Sequence, residues 1–112
     1  MLLVPIPLHK SRLRWRGFNQ SELLGKLIAN KLGWDFEPTL LKRIKNTQPQ
    51  TTLKGESRKR NILGAFMVSG EVKKQPIVLF DDVSTTGSTL KEASKALKRK
   101  GAIKVYAMTL CG

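Results

Sequence analysis

The sequence predicts one α/β domain of three layers, in which a mostly parallel sheet lies between helices. Two observations lead to this fold class. Residues 77–80 form a short apolar run without polar alternation, which is typical of a strand buried on both faces of a sheet. Apolar residues recur at helical spacing over residues 20–32 and 90–100, so strands and helices alternate along the chain. A length of 112 residues suits one such domain.

The first predicted strand, residues 2–8, is apolar but contains Pro5 and Pro7, which cannot donate to a sheet ladder. A short second strand is predicted at residues 39–44. The stretch that follows, residues 45–56, is polar and has no apolar period. It is either a surface loop or a lid that closes over a ligand.

The first predicted helix begins near Asn19, which stands three residues before Glu22 in the spacing of a capping box. The predicted helix ends at Gly33, because glycine readily adopts the left-handed conformation that ends many helices. We expect its aliphatic side chains to cover one face of the sheet. These side chains are Leu23, Leu24, Leu27, Ile28 and Leu32.

The second half of the chain is predicted to add a short helix at residues 57–62, strands at 65–68 and 77–80, a helix at 90–100 and a final strand at 103–110. The last helix should bury Leu90, Ala93, Ala96 and Leu97. Its other face then carries the exposed basic side chains of Lys91, Lys95 and Lys98.

The segment 77–89 carries the strongest functional signal, and it reads Ile-Val-Leu-Phe-Asp-Asp-Val-Ser-Thr-Thr-Gly-Ser-Thr. Ligands of open α/β sheets bind where a strand ends and a helix begins. Asp81 and Asp82 can accept hydrogen bonds from a diol or bind Mg²⁺ indirectly, since hard oxygen ligands suit a hard cation. Backbone N–H groups of residues 85–89, beside a helix N-terminus, can bind a phosphate. Ribose 5-phosphate carries both a diol and a phosphate, so it matches the two kinds of group in this segment.

Other phosphate-binding motifs fit this segment poorly. A Walker loop needs lysine after its last glycine, whereas Ser88 follows Gly87. A dinucleotide fingerprint needs three spaced glycines. An aspartyl-phosphate hydrolase would have one residue between its two carboxylates, whereas Asp81 and Asp82 are adjacent. The remaining alternative is a solvated acidic turn whose hydroxyls cap the helix, but a cap requires one such residue and this segment has five.

The net charge of +13 favours polyanionic partners such as nucleic acid, diphosphates or an anionic membrane face. Residues 1–60 contribute +9 (13 basic against four acidic) and residues 61–112 contribute +4 (eight against four). The single cysteine, Cys111, excludes an internal disulfide and a cysteine-based zinc site, which suits a cytoplasmic protein. His9 is the only histidine, so a histidine-based metal site is excluded as well. No apolar run approaches the length of a membrane span.

Five blocks of the chain, in this order, resemble the competence protein ComF family of the type I phosphoribosyltransferases. They are Val-Pro-Ile-Pro-Leu-His at 4–9, Arg-Trp-Arg-Gly-Phe-Asn-Gln at 14–20, Thr-Gln-Pro-Gln-Thr at 47–51, Arg-Asn-Ile-Leu-Gly-Ala-Phe at 60–66 and the Asp81-Asp82 loop. The last block is similar to the superfamily's motif for phosphoribosyl diphosphate (PRPP). The second and fourth blocks point to the ComF branch.

This resemblance implies a parallel five-stranded core and displacement of pyrophosphate from ribose C1 of PRPP with Mg²⁺. It implies PRPP binding by Asp81, Asp82, Val83, Ser84, Thr85, Thr86, Gly87, Ser88 and Thr89, with the two aspartates also as catalytic groups and indirect Mg²⁺ ligands. It implies pyrophosphate binding by Lys10, Arg12, Arg14, Arg16 and Gly17. The polar stretch 45–56 corresponds to the family's mobile loop, which would bring Lys45 or Lys54 toward the leaving group.

The resemblance also sets expectations about partners. PRPP or another phosphosugar is the expected ligand, with single-stranded DNA or competence proteins as further partners in DNA uptake. Family members usually begin with a cysteine-rich zinc-binding segment, which is absent before residue 2, and enzymes of the superfamily add a hood that selects the base. We therefore expect residues 1–112 to form the transferase-like domain alone. Apolar sheet surface exposed in this way favours a homodimer.

Overall fold

The computed structural model describes residues 1–7, 17–44, 64–72, 74–83 and 87–111. These residues form six strands and two helices. In chain order they are β1 (Leu2–Pro5), α1 (Gln20–Leu32), β2 (Asp35–Phe36), β3 (Leu41–Arg43), β4 (Phe66–Val68), β5 (Ile77–Val83), α2 (Ser88–Arg99) and β6 (Val105–Cys111). The predicted helix at 57–62 and the polar stretch 45–56 lie outside the described residues.

The main sheet has four parallel strands in the order β2-β1-β5-β6. Its centre is the pairing of β1 with β5, in which Leu3 stands opposite Val78 and Pro5 opposite Phe80. The N–H of Ile6 extends this ladder by donating to the Phe80 carbonyl at 2.8 Å. Among the described residues the sheet has four strands rather than the five that the resemblance implied. The predicted α/β fold is confirmed.

The two helices lie on opposite faces of this sheet. The chain passes from β1 through α1 to β2 on one side of β1, and from β5 through α2 to β6 on the other, so right-handed crossovers require opposite faces. The core accordingly has two clusters. Leu3, Ala29 and Phe80 are buried together on the α1 face. The α2 face buries a larger set that includes Leu79 and Leu97.

Helix α1 approaches the sheet through small residues. Its buried positions are Ser21, Gly25 and Ala29, spaced four residues apart along one face. The expectation that all five predicted aliphatic side chains cover the sheet is partly wrong, because only Leu24 and Ile28 pack against the core. The other three are exposed, with exposed fractions of 54% for Leu23, 66% for Leu27 and 52% for Leu32.

Strands β3 and β4 form a separate antiparallel ribbon, in which Lys42 stands opposite Met67. The predicted second strand at 39–44 therefore exists as β3, but it belongs to this ribbon and not to the main sheet. The second strand of the main sheet is β2, which the sequence analysis missed. With only two residues, Asp35 and Phe36, it has too little alternation to be recognised.

The helix ends and the second half of the chain agree with most predictions. Asn19 caps α1, and Gly33 ends it in the left-handed region with φ 71°. Helix α2 buries Ala93 and Leu97 and leaves its predicted lysines exposed. Within the described part of the chain, neither helix has the length and apolar character needed to cross a membrane.

The close approach of α1 predicts that Gly25→Val will destabilise the domain. A β-carbon at Gly25 would lie 2.9 Å from Leu3 Cδ2 and 3.4 Å from Phe36 Cε1, inside a filled core. Overpacking of this kind costs about 1–3 kcal/mol in the free energy of unfolding, measured by denaturant titration. The control, Lys26→Val, places the same side chain on the exposed face and should cost less than about 1 kcal/mol. Equal losses in the two variants would contradict the close approach.

Candidate functional site

The candidate site lies where β1 and β5 end side by side. These two strands are parallel neighbours, and the chain leaves them in opposite directions, toward β2 and toward β6. The reversal opens a crevice at the carboxyl ends of the strands, which is where open α/β sheets bind ligands. The predicted acid pair stands at this point.

Asp81 and Asp82 belong to strand β5 and not to the turn after it. The predicted strand stopped at Phe80, whereas β5 continues to Val83 because β6 pairs with it beyond the aspartates. Asp81 stands opposite Thr109 in that ladder. Both aspartates are half-buried. The pairing holds their backbone extended, so the carboxylates start from fixed positions at the edge of the crevice.

Ser21 joins α1 to this acid pair. Its hydroxyl donates to Asp82 Oδ1 at 2.9 Å and lies 3.4 Å from Asp81 Oδ1. The same oxygen accepts a hydrogen bond from the backbone N–H of Asp82 at 3.2 Å. Ser21 is only 4% exposed, so water competes little for these contacts. The first turn of α1 is therefore bonded directly to the end of β5.

Asn19 joins the same helix turn to the end of β1. Its side-chain oxygen accepts from the N–H of Ser21 at 3.0 Å, and its amide nitrogen donates to the carbonyl of Ile6 at 3.1 Å. Asn19 is buried, and its β-region backbone is typical of an N-cap. Together, Asn19 and Ser21 bridge the carboxyl ends of the two central strands.

Helix α2 is the next described element after β5 along the chain. It begins at Gly87, whose φ of 75° lies in the left-handed region that favours glycine. The Gly87 carbonyl accepts from the N–H of Lys91 at 2.9 Å, and the first turn of the helix contains no acidic residue. A helix N-terminus carries partial positive charge, so this one favours an anion.

Glu92 is a buried carboxylate that the sequence analysis missed. It lies on α2 with 5% of its surface exposed, and its Oε1 accepts from the N–H of Gly64 at 3.1 Å. Gly64 precedes β4 and has φ 66°. This bond fixes the backbone ahead of β4 to the helix that follows the acid pair.

The predicted site residues fall into two groups. The aspartates and Gly87 are brought to one end of the sheet, where Val83 ends β5 and Ser88 and Thr89 begin α2. Gly17 is exposed, with φ 88°, two residues before the α1 cap. The others lie outside the described residues: Lys10, Arg12, Arg14, Arg16, Ser84, Thr85 and Thr86.

Two residues that support the acid pair were not recognised as such from the sequence. Asn19 was predicted only as a helix cap, and Ser21 was not singled out. A signal was present, because Ser21, Gly25 and Ala29 form a line of small residues at four-residue spacing. Such a line indicates close contact with a neighbouring element, and a hydroxyl within it needs a hydrogen-bond partner.

The acid pair also suits an indirectly held Mg²⁺. Within the described residues no group of three or more histidine, cysteine, aspartate or glutamate side chains is placed to hold a metal ion. Mg²⁺ needs fewer protein ligands than that, because it keeps several waters and often uses one or two carboxylates together with substrate phosphates. Asp81 and Asp82 would therefore hold the ion through its waters and through a bound diphosphate.

A second concave site lies at the opposite end of the sheet and has the wrong charge for a phosphate. This cleft of about 470 Å³ is lined by the start of β1, by β2 and the residues after it, by the residues after β4 and by Gln75 ahead of β5. Its lining includes the carboxylates of Asp35, Glu37 and Glu71. Three carboxylates repel an anion, so this cleft does not compete with the crevice as a phosphate site.

Residues 19–112 match the family model of the phosphoribosyl transferase domain. This chain belongs to that family. DNA utilization protein YhgH of Salmonella typhi is 39% identical to this phosphoribosyl transferase domain over 109 residues, which cover 97% of this chain and 48% of the relative. Competence protein F of Haemophilus influenzae is 36% identical over 102 residues, which cover 88% of this chain and 44% of that relative. Competence protein ComFC of Bacillus subtilis is 34% identical over 110 residues, which cover 97% of this chain and 43% of that relative.

These relatives confirm the resemblance to the ComF family within the phosphoribosyl transferases. The chain spans about half the length of the curated relatives that it matches. The family match begins at Asn19 and therefore includes the α1 turn that contacts the acid pair.

The bridge at the strand ends predicts that Asn19→Ala will be costly. It removes a helix cap, worth about 1 kcal/mol, and leaves the buried carbonyl of Ile6 without this donor, which costs about another 1 kcal/mol. Chemical denaturation should therefore show a loss of about 2 kcal/mol. Asn30→Ala, on the exposed face of the same helix, is the matched control and should change stability by less than about 0.5 kcal/mol. An Asn19→Ala loss as small as that of the control would contradict the bridging role.

Proposed function

We propose that this phosphoribosyl transferase domain binds PRPP in the crevice between the carboxyl ends of β1 and β5. The observation that carries the proposal is the acid pair at the end of β5, which is hydrogen-bonded to the first turn of α1 and precedes α2 along the chain. Family membership supports PRPP as the ligand, since its ribose ring, 5-phosphate and diphosphate match the three kinds of group that this chain supplies.

In this proposal the two carboxylates bind the ribose hydroxyls. Asp81 and Asp82 are half-buried, which reduces competition from water for the bonds that they accept. A carboxylate that accepts a hydrogen bond from a hydroxyl forms a charge-assisted bond, which is stronger than one between neutral groups. Two adjacent carboxylates can therefore hold the two hydroxyls of a ribose ring in a fixed orientation.

In the same proposal, the two phosphate groups of PRPP bind to two different segments of the chain. The 5-phosphate is received by the loop through Gly87 and by the N-terminus of α2, which has no acidic residue in its first turn. The diphosphate is received by the basic segment ahead of Gly17, which contains Lys10, Arg12, Arg14 and Arg16. Asp81 and Asp82 would hold Mg²⁺ indirectly, and the ion would supply positive charge that stabilises the departing pyrophosphate.

The chemistry that this arrangement supports is displacement at ribose C1. The bond from C1 to the pyrophosphate oxygen breaks, the electron pair leaves with pyrophosphate, and an acceptor forms the new bond to C1. An oxocarbenium-like transition state needs charge stabilisation and positioning more than a protein nucleophile. The half-buried carboxylates of Asp81 and Asp82 supply negative charge beside the ribose, and the basic segment stabilises the departing pyrophosphate.

The first test measures the melting temperature with PRPP and Mg²⁺. A ligand at 100 times its Kd adds about 2.7 kcal/mol of stability, roughly 10 °C for a domain of this size. The double variant Asp81→Asn/Asp82→Asn should lose nearly all of that rise. The control, Asp35→Asn/Glu71→Gln, removes the same charge from the acidic cleft and should show the same rise in melting temperature as the unmodified protein. No rise in the unmodified protein, or equal rises in both variants, would overturn the proposal.

We further propose that the domain acts in DNA use linked to natural competence and DNA uptake, as a cytoplasmic partner of single-stranded DNA. The names of the relatives, DNA utilization protein and competence proteins, favour this role. The net charge of +13 supports a polyanionic partner. On α2, the exposed side chains of Lys91, Lys95 and Lys98 form one basic face that could follow a phosphate backbone.

Salt dependence tests the DNA partner. If those three lysines contact phosphates, the variant Lys91→Gln/Lys95→Gln/Lys98→Gln should reduce the slope of log K against log salt by about 2 in single-strand binding. Lys26→Gln/Lys31→Gln/Lys42→Gln makes the same change in net charge at exposed positions elsewhere and serves as the control. A slope that changes equally in both variants would argue against the α2 face, and affinity indifferent to salt would exclude a phosphate-based interface.

A further inference from the structure

We propose that Ser21 is a positioning residue of the sugar-phosphate site, whose buried hydroxyl draws the two carboxylates together and thereby sets the preference for a ribose diol. This inference rests on the proposed PRPP site and extends it to a residue on α1. It concerns selectivity between sugars rather than affinity for phosphate.

The hydroxyl of Ser21 both donates and accepts a hydrogen bond, and its partners all belong to the dipeptide Asp81-Asp82. It has a single hydrogen, which it donates to Asp82 Oδ1 at 2.9 Å and shares at the longer distance of 3.4 Å with Asp81 Oδ1. Its oxygen accepts from the N–H of Asp82 at 3.2 Å. Backbone and side chain of Asp82 are therefore fixed by one group.

This contact changes where the carboxylates would otherwise point. Successive side chains on a strand project to opposite faces, so Asp81 and Asp82 start on opposite sides of β5. Like charges would also separate them. Yet an oxygen of each carboxylate lies within 3.4 Å of one serine oxygen. The hydroxyl therefore gives both acids a common point of contact, through one oxygen of each carboxylate.

The surroundings of Ser21 keep the hydroxyl in place. Ser21 is 4% exposed, and its backbone N–H is held by the Asn19 side chain at 3.0 Å. It is also the second residue of α1, where the partial positive charge of a helix N-terminus stabilises nearby carboxylates. The small residues Gly25 and Ala29 continue its line and let this turn lie against the sheet.

The test compares two sugar phosphates that differ by one hydroxyl. Ribose 5-phosphate has the 2- and 3-hydroxyls, whereas 2-deoxyribose 5-phosphate lacks the first of them. Isothermal titration of the unmodified protein should show a preference of about tenfold for ribose 5-phosphate, the worth of one hydrogen bond to a charged group. In Ser21→Ala the preference should fall to about twofold or less, because the carboxylates are no longer held together.

A merely structural role would lower affinity for both sugars and leave their ratio unchanged. Ser69→Ala is the control, since it removes an exposed hydroxyl that donates to the Thr39 carbonyl and lies 3.3 Å from the Leu40 carbonyl, in a separate part of the fold. In Ser69→Ala, the ratio of the affinity for ribose 5-phosphate to that for 2-deoxyribose 5-phosphate should equal the ratio in the unmodified protein. Ser21→Cys keeps a side chain of the same connectivity, slightly larger and with a weaker donor. It should also show the reduced ratio, which provides a second measurement if Ser21→Ala does not fold.

The outcomes separate this inference from the proposed function. If the unmodified protein binds neither sugar phosphate, the PRPP site itself is wrong. If it binds both and prefers ribose, but the Ser21 variants that fold keep that preference, the site stands and the positioning role is overturned. A reduced ratio in the Ser21 variants together with an unchanged ratio in Ser69→Ala supports the inference.

Discussion

The parallel pairing of β1 with β5 is the constraint on which the other features depend. Both strands are buried on two faces, and a slip of one residue would turn every core side chain to the wrong face. The register is therefore fixed, and with it the positions at which the two strands end. Asn19 reaches the carbonyl of Ile6 and Ser21 reaches Asp82 only because these ends stand side by side.

Helix α1 shows how packing serves this site. Its sheet-facing side is built from Ser21, Gly25 and Ala29, so the helix lies close enough for a short serine side chain to reach the end of β5. A larger residue at Gly25 would meet Leu3 and hold the helix away. The consequence is that Leu23 and Leu27 face outward, an apolar surface that a helix packed through its leucines would have buried.

Charge is unevenly distributed on this basic domain. Of eight acidic residues, two form the acid pair and three line the cleft at the other end of the sheet. The acid pair is followed along the chain by the N-terminus of α2, whose first turn has no acidic residue. Such a contrast over a short distance suits a ligand with a neutral diol next to a phosphate, and it suits a free diphosphate or a plain polyanion less well.

The sequence by itself determined the α/β class, the buried β5 run, the caps of α1 and the acid pair, because each depends on residues adjacent along the chain. Tertiary structure decided the rest. The outward leucines of α1, the two-residue β2, the separate β3–β4 ribbon and the Glu92–Gly64 bond depend on which surfaces meet in space. Ser21 is the clearest case: the line of small residues that it begins indicates close contact with some neighbouring element. Its partners Asp81 and Asp82 are 60 and 61 positions away, so the local pattern does not identify them.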